Sequence, residues 1–204
     1  NLYFSAMKVI GKKGAAGVDR QTVDEFLEQR WPELDQLQQE LMDESYRPYP
    51  VRRVEIPKPG SNEKRPLGIP TVRDRVVQTA LVHVLEPIFD HTFHERSFGF
   101  RHQRGCLDAL LCVEGLLNDG YVWVVDADLK GYFDTIPKDR LLTLVKQKVS
   151  DQAVLRLVKL YLNQEVMSDL SRWTPETGVP QGAVLSPMLA NLYLNSLDYQ
   201  MAEQ

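Results

Sequence analysis

VWVVDADLKGYFDTIP, residues 122–137, combines the most apolar strand-like run of the chain's middle with three aspartates. An apolar run enters two aspartates separated by one alanine, then turns at once through a glycine and two aromatics. In a strand, residues i and i+2 share a face, so a strand over 121–128 would point Asp126 and Asp128 the same way at the end of a buried element, where like charges repel. A divalent cation offsets such repulsion. Two readings fit this stretch alone. In one, a carboxylate and a freed backbone carbonyl are presented to a hard ion such as Mg²⁺, which one or two protein carboxylates plus substrate phosphates commonly hold. In the other, the acids form an N-cap cluster or a surface turn.

The surrounding chain sets bounds on both. Its 204 residues, 43% hydrophobic, suffice for a real core in one large domain or two subdomains. No apolar run approaches the roughly 18–20 residues that cross a bilayer, and no secretory signal pattern opens the chain. NLYFSAM has the look of a protease-cleavable tag remnant lacking its usual glutamine, so residues 1–6 are expected outside the fold. Cys106 and Cys112 have no further CxxC or histidine pair to complete a zinc site and are expected reduced, in a cytoplasmic protein. His83, His91, His94 and His102 show no ligand spacing.

A net charge of −4 argues against a simple nucleic-acid coat protein, but the charge is uneven. Residues 1–46 carry 5 basic and 9 acidic groups, residues 47–104 carry 11 and 6, and residues 105–204 carry 8 and 13. A basic middle suits a phosphate-facing patch beside an acidic metal site; the alternative is a solvated basic face.

Thr22 followed by Glu25 is a capping box before a first helix, and Pro32 opens a second to about Met42. Residues 50–70 read as two short strands joined by a turn at PGSN, at a sheet edge because of their prolines. Thr71 and Asp74 start a helix to about Phe89 whose apolar face is Val77, Leu81, Val84, Leu85 and Ile88, with Arg73, Arg75 and Gln78 off it. Helices follow at about 105–118, 138–149 and 151–164, then a short strand or turn region, then a helix with Pro187 in its first turn. The alternation lacks a strict βαβ rhythm, and no GxGxxG or GxxxxGK[ST] occurs, so the fold class is α+β.

IPKPGSNEKRPLGIP (56–70), DADLKGYFDTIP (126–137) and GVPQGAVLSP (178–187) occur in the order and spacing of reverse transcriptase motifs. With GAAGVDRQT (14–22), RPLGIPTVRDRVVQ (65–78) and SFGFRHQRGCLDAL (97–110), the sequence resembles reverse transcriptases encoded by group II introns, over about residues 11–200. The resemblance implies the fingers and partial palm of a right-hand polymerase. Residues 7–115 would be fingers, with N-terminal helices, charged β-hairpin and core helices; 116–137 palm with the first catalytic motif; 138–177 a helical insertion; and 178–204 palm with the PQG turn and its following helix.

It also implies roles. Asp128 would be the catalytic aspartate, ligand of both Mg²⁺ ions in a two-metal site, with the Leu129 carbonyl helping to hold the nucleotide-bound ion. Asp126 is expected beside the site rather than as a ligand. Phe133 would lie under the incoming sugar and reject a 2′-hydroxyl by clash. Lys58 and Arg65 would clamp the triphosphate, one as a point charge and one as a planar fork. Gln181 would contact the sugar, and Gly182 would permit close backbone approach. Arg53, Lys64, Arg101 and Arg104 are candidate nucleic-acid contacts, while Phe98 and Phe100 either stack on a base or join the core.

The family's second acidic motif, Tyr-x-Asp-Asp, is absent from these residues, which implies an N-terminal portion inactive alone that binds Mg²⁺ weakly or not at all. The expected activity of the parent is RNA-directed DNA polymerisation with a maturase role. Its partners would be template or intron RNA, a DNA or RNA primer and dNTP, with no membrane. Competing readings are an RNA-binding splicing factor without polymerase activity, a self-associating module forming a homodimer, and a related bacterial retroelement or CRISPR-associated reverse transcriptase.

Overall fold

The structure, a computed structural model, describes residues 1–204 except Lys58, Pro59, Ser61, Leu170 and Gln204. In order, the elements are α1 (Leu2–Ile10), α2 (Val23–Glu28), α3 (Arg30–Met42), β1 (Val51–Pro57), β2 (Lys64–Ile69), α4 (Val72–Phe89), α5 (Cys106–Asn118), α6 (Tyr132–Thr135), α7 (Lys138–Lys146), α8 (Gln152–Leu162), β3 (Val166–Ser168), β4 (Ser171–Trp173) and α9 (Ser186–Ala202). Helix starts follow the capping chemistry. The Glu25 N–H donates to Thr22 Oγ1 at 3.2 Å and the Thr22 N–H to Glu25 Oε2 at 2.7 Å, closing the box over α2. Thr71 and Asp151 cap α4 and α8 in the same manner, through the N–H groups of Asp74 and Val154.

The described strands form one sheet ordered β2-β1-β3-β4, with β1 antiparallel to β2, parallel to β3 over Val51–Arg52, and β3 antiparallel to β4. Proline-bearing β2 takes an edge, where a missing N–H is tolerated, whereas β1 is internal but pairs with β3 only at Val51 and Arg52, with its own Pro57 at the far end. Helix α4 runs through the core: Val72, Val76, Val77, Leu81, Leu85 and Phe89 are buried on it, against α1 and α9. Residues 1–6 depart from expectation. They begin α1, with Ser5 and Ala6 buried and the Tyr3 ring stacked on Trp31 at 5.3 Å, because apolar residues recur along this segment at helical spacing.

Residues 121–129 are the other departure. They form no strand and are exposed throughout, Trp123 at 93% and Val125 at 91%. A run apolar on both faces needs a pairing strand and two covering layers, and no described strand pairs with it. Helix α5 is likewise uncovered, with Leu107, Leu110 and Leu111 exposed.

Beneath α4 lies a buried polar cluster. The Tyr46 hydroxyl donates to Asp74 Oδ1 at 2.5 Å, so Tyr161, 2.6 Å from Tyr46, must donate to it in turn; the Tyr49 N–H donates to Asp74 Oδ2 at 3.0 Å. Burial pushes the Asp74 carboxyl up from 3.8 to about 6, against hydrogen bonds from Tyr46, Thr71 and Tyr49 and the charge of Arg73. The unfolded chain releases this proton near 3.8, so the contribution is fully present below that pH and is lost as pH rises through about 6. Urea denaturation should show the stability advantage of the native chain over Asp74→Asn shrinking by about 3 kcal/mol between pH 3.5 and 7. A constant difference would remove the buried acid from this account.

Candidate active site

The turn after the exposed segment is built on Gly131, whose φ of +62° is the left-handed region that glycine enters freely. It opens the short α6, anchored to α9 by the Tyr132 hydroxyl donating to the Ala190 carbonyl at 2.7 Å. The Tyr132 and Phe133 rings meet edge to face, centroids 5.7 Å apart, and Phe133 is half-buried against the core.

The loop 177–182 clasps this turn. The Gly178 and Val179 N–H groups donate to the carbonyls of Ile136 and Phe133, each at 2.8 Å. Thr177 Oγ1 donates to the Asp134 carbonyl, and Gln181 Nε2 to Asp134 Oδ2, each at 2.9 Å. On its other side the loop holds β2: the Gly68 N–H donates to the Gln181 carbonyl at 2.7 Å. Glycine is required at both ends. A Cβ on Gly178 (φ +85°) would lie 2.7 Å from Asp134 Cα, and one on Gly182 (φ +97°) 2.5 Å from the Gly68 carbonyl oxygen. Behind the loop, Leu185 N–H donates to Gln78 Oε1 at 3.2 Å. Gln78 is fully buried, contrary to its expected place off the apolar face.

The structure thus brings Phe133, Gln181 and Gly182 together with β2, the strand that carries Arg65 and Lys64 at its exposed hairpin end. Strand alternation puts Arg65 on the face of Leu67, against which Gly182 lies, roughly 10 Å along the strand from Gly68. The opposite face borders a cleft of about 310 Å³ lined by Arg53, Gly68, Asp134, Lys138, Trp173 and Gln181. There Arg53 pairs with Glu55 at 3.0 Å and stacks over Trp173, while burial lowers the pKa of Lys138, which donates to the Pro175 carbonyl. Lys58 lies outside the described residues.

Asp126, Asp128 and Leu129 sit in the exposed segment just before Gly131. Among the described residues no group of three His, Cys, Asp or Glu side chains could hold a metal ion. One carboxylate and one carbonyl still fit the Mg²⁺ pattern in which substrate phosphates supply further ligands.

Arg101 is a correction. It is buried and all five of its N–H donors are used by the protein: Nε on Asp90 Oδ1 at 2.8 Å, Nη1 on the His94 and Ser97 carbonyls, each at 2.9 Å, and Nη2 on the Asp90 carbonyl at 2.9 Å and Oδ2 at 3.2 Å. No donor remains for a nucleic acid. Its hydrogen bonds hold the Asp90 carboxyl below the usual range. Arg104 donates to the Glu95 carbonyl. Phe98 is half-buried and Phe100 exposed, so only the second is open to a base. The basic stretch 47–104 is largely spent internally: Arg52 and Arg75 hold the Ala16 and Ala15 carbonyls, and Arg73 pairs with Glu40.

Sequence reasoning missed Asp134, Thr177 and Gly178 as the clasp. The signal was available, since Asp134 closes DADLKGYFD and Gly178 opens GVPQG.

Residues 56–204 match the model of the reverse transcriptase (RNA-dependent DNA polymerase) family, and the chain belongs to that family. It is 37% identical over 198 residues to group II intron-encoded protein LtrA of Lactococcus lactis subsp. cremoris, covering 96% of this chain and 32% of LtrA. Protein YkfC of Escherichia coli strain K12 is 42% identical over 178 residues, covering 84% of this chain and 46% of YkfC. A chain of a partial Cas6-RT-Cas1–Cas2 complex superposes with a TM-score of 0.59 at 22% identity, covering 98% of this chain and 34% of that one, a likeness of fold. The chain therefore spans about a third to a half of the length of these relatives. Its fold is the α+β reverse transcriptase fold, and no helix among the described residues is long and apolar enough to cross a membrane.

Proposed function

We propose that this chain supplies the nucleotide-binding face of a group II intron-encoded RNA-directed DNA polymerase, a cytoplasmic protein that also binds its intron RNA and promotes splicing. The observation that carries the reading is the clasp: the Phe133 turn, the PQG loop and β2 are joined by backbone hydrogen bonds of 2.7–2.8 Å. Identities of 37% and 42% to LtrA and YkfC favour this branch over the CRISPR-associated one, likened only in fold at 22%.

In the complete protein a primer 3′-hydroxyl attacks the α-phosphorus of a dNTP and pyrophosphate leaves. Asp128 and the Leu129 carbonyl would hold Mg²⁺, which when bound neutralises charge on the attacking and leaving oxygens. Arg65, with Lys58, grips the triphosphate from the hairpin. Gly182 lets the backbone approach the nucleotide, and Gln181 meets the sugar. Phe133 blocks the space of a 2′-hydroxyl. In the full-length protein Phe133→Ala should raise relative ribonucleotide use about tenfold or more. Unchanged discrimination would mean that the ring only packs.

RNA contact falls to cations left outside internal pairs, Lys64 first. Lys64→Ala should lower RNA affinity and flatten the log–log salt dependence by roughly 0.7–0.9. An unchanged slope would take the hairpin off the RNA path. Self-association would run through the uncovered apolar residues of α5, and light scattering over a concentration series would detect it.

A further inference from the structure

We propose that Asp134 is a positioning residue that fixes which end of the Gln181 amide meets the nucleotide, so that Gln181 Oε1 accepts the 3′-hydroxyl of an incoming deoxynucleotide. The inference rests on the reading of Gln181 as a sugar contact and adds the group that orients it. An amide side chain has a donor end and an acceptor end of nearly equal shape, so its polarity in a site must be set by a neighbour. Here the neighbour is Asp134, whose Oδ2 is 2.9 Å from Gln181 Nε2. An ionised carboxylate only accepts hydrogen bonds, so the NH₂ end must turn towards Asp134 and the carbonyl end is left for a donor. A deoxynucleoside triphosphate offers one hydroxyl on its sugar, the 3′-hydroxyl.

Asp134 is itself held in place. Its N–H donates to the Gly131 carbonyl at 2.9 Å, its carbonyl accepts from Thr177 Oγ1 at 2.9 Å, and Gly178 packs so closely that a Cβ would strike its Cα. The same turn carries Phe133, whose carbonyl accepts from Val179. One turn thereby sets two selections: the ring excludes the 2′-hydroxyl, and the carboxylate orients the amide that requires the 3′-hydroxyl.

The test compares Asp134→Ala, Asp134→Asn, Gln181→Ala and the double variant Asp134→Ala/Gln181→Ala in the full-length polymerase. Each is measured with a dNTP and its 3′-deoxy counterpart. Asp134→Ala should raise KM for dNTP about tenfold, with kcat changed by no more than about twofold, and should lower discrimination against the 3′-deoxynucleotide to the Gln181→Ala level. The double variant should be no worse than Gln181→Ala, and Asp134→Asn, which can accept or donate, should fall between. The proposal is overturned if Asp134→Ala discriminates like wild type while Gln181→Ala does not, or if the two losses add fully.

Should Gln181→Ala itself discriminate like wild type, the sugar contact fails and the proposal falls with it. NMR of the 204-residue chain then shows whether the bond exists independently: its Gln181 side-chain NH₂ resonances should shift and exchange faster in Asp134→Ala. Identical resonances in the two chains would overturn the positioning role by themselves.

Discussion

Replacing Asp128 by Asn in the full-length protein should cut primer extension by about a thousandfold or more, leaving folding and RNA affinity unchanged. The size follows from chemistry: a neutral amide is a poor Mg²⁺ ligand, and the carboxylate that would hold the ion would contribute several kcal/mol at the transition state. Structure makes the result interpretable. Residue 128 lies in an exposed segment and makes no hydrogen bond among the described residues, so its carboxylate supports no packing that the substitution could damage. Extension within about tenfold of wild type would move the catalytic carboxylate elsewhere.

The second large effect is on stability. Gly178→Ala should lower the unfolding free energy of the 204-residue chain by about 2–4 kcal/mol, a shift of roughly 1–2 M in the urea midpoint. The new Cβ would meet Asp134 Cα and the Phe133 carbonyl oxygen at 2.7 Å and Asp134 C at 2.8 Å, all backbone atoms with no rotamer to escape into. Gly60→Ala is the control. Its φ of +75° is as unfavourable for alanine, yet nothing among the described residues lies within 4 Å, so only the conformational cost of about 1–2 kcal/mol should appear. Equal losses would show that the loop does not press on the Phe133 turn.

Helix boundaries were legible because their signals are local: Thr22 with Glu25, Thr71, Asp151 and Pro187 do where they stand what capping and first-turn chemistry requires. The strand expected over 121–128 was not, because pairing is a tertiary property and the pattern VWVV cannot name a partner. Gln78 shows the limit of apolar periodicity. Residues 74, 78, 81 and 85 share one face of α4, but polarity at 74 and 78 disguised half of a buried stripe. Charge misled in a similar way. A count of guanidinium groups cannot tell that Arg101, Arg52 and Arg75 are taken by the chain's own oxygens. At the site, the family resemblance named Phe133 and Gln181 as candidates, whereas Asp134, although it closes DADLKGYFD, gains its partner only where the loop folds onto it.

The most direct measurement is a structure of the full-length enzyme with template, primer and an incoming dNTP. The sugar should rest on Phe133 with its 3′-oxygen within about 3.2 Å of the Gln181 carboxamide oxygen, and the triphosphate should touch Arg65. A nucleotide bound away from the face joined by residues 133, 181 and 182 would contradict the account.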